Sequence, residues 1–112
     1  MQDLVSLTAL EQAELIRKRA ISSEELTWVY LDRIARVDPL LHAFVNVFER
    51  RALADARAKD KALRRLSVVP PFHGVPIGIK DLNFVRFSAT RLGTRALPPL
   101  YSPVDDHTVR AL

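Results

Sequence analysis

The residue whose chemistry asks for an explanation is Lys80, which follows the run Val75-Pro76-Ile77-Gly78-Ile79 and precedes Asp81-Leu82. An ammonium group set among aliphatic side chains loses solvation, and loss of solvation is what turns a lysine from a cation into a base. As a strand, the run places Val75, Ile77 and Ile79 on one face and Pro76, Gly78 and Lys80 on the other. The lysine then shares its face with small or flat residues, which leave room for a second group to pack over it. Pro76 has no N–H to give to a ladder, so the expected element is an edge strand, a bulged strand or an extended entry into a sheet. The plain alternative is a strand-end lysine that reaches water past Asp81.

Other reactive groups are sparse. The chain has no cysteine, which excludes disulfides, thiolate nucleophiles and cysteine metal clusters. His42, His73 and His107 lack ligand spacing, so no metal is expected, and His73 reads as a strand-entry residue in preference to a base. No cofactor motif is present. The serines are Ser6, Ser22, Ser23, Ser67, Ser88 and Ser102, and none lies in a glycine-rich loop, because Gly74, Gly78 and Gly93 are the only glycines. No apolar run approaches the length of a membrane span and the amino terminus carries no basic and apolar signal region, so a cytoplasmic setting is expected.

The elements that must position Lys80 begin as helices. Thr8-x-x-Glu11 and Ser22-x-x-Glu25 are capping boxes, predicting helices over Ala9 to Lys18 and Ser23 to Arg36. Leu10, Ala13 and Ile16 make the apolar stripe of the first; Leu26, Val29, Tyr30, Ile34 and Val37 make that of the second, with Trp28 and Tyr30 assigned to the core. Asp38-Pro39 is expected to end it. A strand is expected over Ala43 to Phe48, then a third helix over Glu49 to Leu66. Between Arg50 and Arg65 seven basic residues face Asp55 and Asp60, so the chain's net charge of +4 is concentrated there. Asp55 with Lys59 and Asp60 with Arg64 stand in the favourable acid-first i, i+4 order, and the segment reads as a solvated outer helix; with no aromatic interleaved, nucleic-acid binding is disfavoured. Prolines punctuate the chain from Pro70 onward, which divides it into a helical half, 1–66, and a strand-and-loop half, 67–112. Asp105 or Asp106 would cap a final helix.

The stretch Pro71-Phe72-His73-Gly74-Val75-Pro76-Ile77-Gly78-Ile79-Lys80-Asp81-Leu82 resembles the lysine-bearing segment of the amidase signature family. Thr90-Arg91-Leu92-Gly93-Thr94 is similar to that family's Thr-x-x-Gly-Ser segment, and Asp105 to Leu112 to the helix after it. The opening helices and Ala43-Phe44-Val45-Asn46-Val47 also fit the family's usual beginning. The resemblance implies an α/β fold, with amino-terminal helices and the first strands of a mixed sheet that this chain leaves incomplete. It implies hydrolysis of carboxamide carbon–nitrogen bonds through a Ser-Ser-Lys mechanism, with Lys80 as the base that relays a proton from one serine to activate a second. Where the family commonly has Gly-Met, this chain reads Arg86-Phe87-Ser88-Ala89, which would cost a positive φ that glycine allows.

The family's two serines belong to a Gly/Ser-rich loop that the 112 residues do not contain. Three readings follow. The first is an amino-terminal amidase fragment, inactive alone, whose intact enzyme takes a small amide substrate; a place within a transfer-RNA amidotransferase stays open. The second is a non-catalytic, partner-binding remnant of the family. The third is a small basic nucleic-acid-associated protein. Apolar strands left uncovered would favour self-association.

Overall fold

The computed structural model describes residues 3–112 and divides into two compact units, one ending at Pro76 and the other spanning Ile77–Leu112. Each is described by itself.

The first unit is helical. After a 3-10 turn at Leu4–Ser6 come α1 (Ala9–Arg17), α2 (Ser23–Leu41) and α3 (Glu49–Leu63). Both capping boxes form as the sequence requires. Thr8 and Ser22 accept from the backbone N–H of Glu11 and Glu25, and each glutamate accepts in return from its cap residue's N–H. These reciprocal bonds hold the Glu11 and Glu25 carboxyls below the ordinary glutamate range, the backbone N–H of Thr8 and Ser22 being the larger cause in each case.

α2 runs past the expected stop and includes Pro39 in its last turn. Proline in the final turn forfeits one backbone bond, and the end is rebuilt around it. His42 adopts φ 52° and donates its N–H to the Asp38 carbonyl at 2.7 Å, while Asp38 Oδ1 accepts from the N–H groups of Ala43 and Phe44 at 2.7 and 3.1 Å. The strand expected over Ala43 to Phe48 does not form. The segment is irregular, exposes Phe44, Val45, Val47 and Phe48, and has no neighbouring strand among the described residues to supply a ladder. α3 ends at Leu63, three residues earlier than expected.

The core is small: Ala13, Ile16, Leu26, Leu53 and Ala56. Two expected members stand outside it. Leu10 is exposed, and buried Gln12 lies where α1 meets the turn before it, donating to the Leu4 carbonyl and to Tyr30 Oη at 2.8 and 2.6 Å. Trp28 is exposed because two residues rotate the helix by about 200°, which turns it away from the face of Leu26.

What joins α2, α3 and the chain beyond them is polar. Asp60 of α3 accepts from the N–H groups of Ser23 and Glu24 at the start of α2, at 2.7 and 3.1 Å. Arg57 pairs with Glu24 at 2.8 Å. The turn Pro71–Gly74 closes the unit: buried His73 directs Nε2 to the Lys59 carbonyl at 2.8 Å, and Ser23 Oγ donates to the Gly74 carbonyl at 2.5 Å. A carbonyl only accepts, so His73 Nε2 carries its proton.

Gly74 has φ +80°, and a β-carbon there would stand 3.1 Å from Ser23 Cβ and Oγ. Gly74→Ala should therefore cost about 2 kcal/mol, from left-handed strain plus the displaced Ser23 contact, read as a lower denaturation midpoint. An unchanged midpoint would show that this turn is not seated as described.

The second unit holds β1 (Ala89–Thr90) and β2 (Leu100–Tyr101), antiparallel with Ala89 opposite Tyr101 and Thr90 opposite Leu100, and α4 (His107–Ala111). Of the two candidates for its N-cap, Asp106 takes the position. Its carboxylate accepts from the Val109 N–H, the Asn83 side-chain amide and the Phe84 N–H, at 2.9, 2.9 and 3.1 Å. The bond from Val109 is the chief reason its carboxyl sits below the ordinary aspartate range.

For Glu11, Glu25 and Asp106 the folded value is the depressed one, so their contribution is complete above the unfolded values of about 4 and is lost as pH falls further. The thermal midpoint should be flat from about pH 7 to 5 and drop below about pH 4. Glu11→Gln with Glu25→Gln should make that acid drop shallower.

Candidate functional site

Lys80 lies in the second unit, where 77–80 is extended but unpaired, and its side chain is exposed. The expected strand is absent because no neighbouring segment among the described residues offers it backbone partners. Immediately after it the chain turns, with the Asn83 N–H donating to the Lys80 carbonyl at 3.0 Å.

Asp81 ties this turn to the Thr90–Thr94 segment. Its Oδ1 accepts from the Arg91 N–H at 3.0 Å and its backbone carbonyl from the Leu92 N–H at 3.2 Å. The other carboxylate oxygen, Oδ2, is buried with no hydrogen-bond partner in this structure. The lysine segment and the Thr-x-x-Gly-Thr segment, ten residues apart in sequence, are thus clamped side by side through one residue. Sequence reasoning does not single out Asp81. Its position directly after Lys80 is the only local signal, and the partner ten residues on is visible only in three dimensions.

Thr90 is buried within β1, and Ser88 is buried with its hydroxyl donating to the Val85 carbonyl at 2.9 Å. Leu92 and Gly93 take φ 56° and 69°, a left-handed pair in which glycine fills only the second place. Phe87 takes φ 57°, the conformation that a glycine would have supplied. The chain therefore keeps the turn without the residue that makes it easy, and hydrogen bonds on both sides hold it there. Phe87 N–H donates to the Ser102 carbonyl at 2.8 Å, and Arg86 N–H to Asp105 Oδ1 at 2.8 Å.

Among the described residues no group of histidines and acidic residues is arranged to hold a metal, and no helix is long and apolar enough to cross a membrane.

With this geometry in hand, comparison with known proteins is decisive at the level of family. A family model described as Amidase matches residues 25–112. The chain belongs to the amidase family. The match includes Lys80, Asp81 and the Thr90–Thr94 segment. Among similar relatives, a component of the glutamyl-tRNA(Gln) amidotransferase of Acidothermus cellulolyticus is 40% identical over all of this chain and 22% of its own length. A Synechocystis protein named "Putative amidase" is 39% identical over 97% of this chain and 22% of its own. The corresponding amidotransferase component of Dehalococcoides mccartyi is 35% identical over all of this chain and 23% of its own length. The chain thus spans less than a quarter of the length of these relatives. No solved structure matches it.

In this amidase-family chain, Phe87→Gly removes a left-handed phenylalanine that is 80% exposed and contributes little packing. The relief of roughly 1–2 kcal/mol is partly offset by the glycine's greater unfolded freedom, so a net gain of about 0.5–1 kcal/mol is expected. Thermal unfolding checks it, and a lower midpoint would mean the ring has a packing role.

Proposed function

We propose that these residues are the amino-terminal, lysine-bearing part of an amidase domain, helical over 1–66 and strand-and-loop over 67–112, which acts on carboxamide carbon–nitrogen bonds by a Ser-Ser-Lys mechanism. The observation that carries this reading is the family match across 25–112, inside which Lys80 stands in the Gly74 to Leu82 segment. Lys80 is the general base. Unprotonated, it takes the proton of a first serine, which in turn activates the serine that attacks the amide carbonyl. Asp81 is a positioning residue that holds the Thr90–Thr94 segment beside it.

The nucleophile comes from elsewhere in the intact enzyme. Five of the chain's six serine hydroxyls are engaged locally: Ser6 with Asp3, Ser22 with Glu25, Ser23 with Gly74, Ser88 with Val85 and Ser102 with Val104. None stands in a loop whose backbone could stabilise an oxyanion. These 112 residues are therefore silent alone. The names of the relatives favour an aminoacyl amide as substrate, a cytoplasmic setting and work within a multi-chain enzyme. The exposed Leu40, Leu41, Phe44, Val45 and Phe48 support burial of this segment against another part of the enzyme, and self-association of the chain when that part is missing.

The test mixes the chain with a polypeptide spanning the remainder of the Acidothermus relative and measures ammonia released from glutamine and from a small carboxamide. Activity is expected in the mixture and not in either part, and Lys80→Ala should lower it at least about 100-fold. Hydrolysis by the chain alone, or full activity with Lys80→Ala, overturns the reading. A stable complex without hydrolysis points to a partner-binding remnant instead.

A further inference from the structure

The strongest unassigned feature is the outer face of α3. At about 100° per residue, Arg50, Arg57, Lys61, Arg64 and Arg65 fall within an arc of about 100°, and the stripe runs about 22 Å along the helix and its cap. All five side chains are exposed, and the residues beside them, Ala54 and Ala58, are too short to cover them. The acids of the helix lie elsewhere: Glu49 and Asp55 each fall about 120° round from Lys61.

The spacing of Asp60 and Arg64 predicts that the acid neutralises the arginine across one turn. It does not. Both carboxylate oxygens of Asp60 are occupied by the N–H groups of Ser23 and Glu24. Where the stripe borders a shallow groove against the start of α2, the other acids are engaged as well: Glu24 by Arg57, and Glu25 by the Ser22 N–H. Arg19, exposed after the end of α1, adds a further cation to the same groove. Arg50, Lys61, Arg64 and Arg65 form no ion pair among the described residues.

We propose that this face of α3 is a docking surface for the phosphodiester backbone of a nucleic acid. A linear array of unneutralised cations along a rigid rod matches a linear array of phosphates, and it exceeds what solubility requires of one helix. No aromatic residue lies in α3, so the surface reads charge and spacing, not bases. The proposal is independent of the amidase reading, since neither Lys80 nor the second unit takes part.

The full chain is titrated with a fluorescein-labelled duplex RNA and with a duplex DNA of the same length, across a series of salt concentrations. About four phosphate contacts predict a slope of log K against log salt near −3 to −4. R50Q/K61Q/R64Q should bring the slope to about −1 and lower affinity at least tenfold at low salt, while R95Q in the second unit should leave both unchanged. Circular dichroism confirms that α3 persists; should the triple variant unfold, R50Q and R64Q singly should each reduce the slope by about 1. Equal slopes on RNA and DNA fit backbone recognition, and a steeper slope on one assigns the polymer. A slope near zero, loss of binding with R95Q equal to that of the triple variant, or tighter binding to anionic phosphatidylserine vesicles than to either duplex overturns the proposal.

Discussion

The helical unit depends on where Asp60 points. The first turn of α2 presents N–H groups without intrahelical partners, and Ser22 satisfies only the one it caps. Asp60 reaches across from α3 and takes two more, from Ser23 and Glu24, while Arg57, one turn earlier on α3, holds the Glu24 side chain. With a core of five apolar residues, none larger than leucine or isoleucine, polar bracing of this kind has to set the angle and register that hydrophobic packing sets in larger domains. The same first turn of α2 then offers Ser23 Oγ to the Gly74 carbonyl, so the exit of the chain from the unit is fixed by the helix start that Asp60 secures.

Carboxylates repeat this role in the second unit. Asp81 grips the backbone of Arg91 and Asp106 that of Phe84 and Val109, in a segment whose regular structure amounts to two short strands and a short helix. A chain so poor in ladders has many backbone N–H groups to satisfy, and acidic side chains at turns satisfy them. The glycine of the Gly-Val-Pro segment has a similarly local account. Gly74 is needed because a β-carbon at that position would press on Ser23 at 3.1 Å, whatever chemistry follows at Lys80.

The use of Asp60 also decides the charge of α3. A carboxylate drawn inward to brace a neighbouring helix cannot neutralise the arginine one turn away on the outside. The bracing and the basic stripe are therefore two consequences of one side-chain orientation, and a surface facing nucleic acid would need no sacrifice from the fold.

Local signals were legible in the sequence. The two capping boxes, the helical periods of α1 to α3, the Asp106 cap and the family to which the Lys80 segment belongs all rest on residues within a few positions of one another, where spacing alone dictates geometry. So did the demand for a positive φ at Phe87, since one residue's backbone is a local matter. What only the tertiary structure decided is whatever depends on a distant partner. Val75 to Ile79 and Ala43 to Phe48 have strand-like patterns, yet a strand exists only where another strand bonds to it, and neither segment meets one among the described residues. Trp28 carried the hydrophobicity of a core residue but not the angle. Asp60 and Arg64 stood at the right spacing for a salt bridge, and a helix start 36 residues earlier in the chain took the carboxylate instead, because two backbone N–H groups at such a start bind it more firmly than one solvated guanidinium.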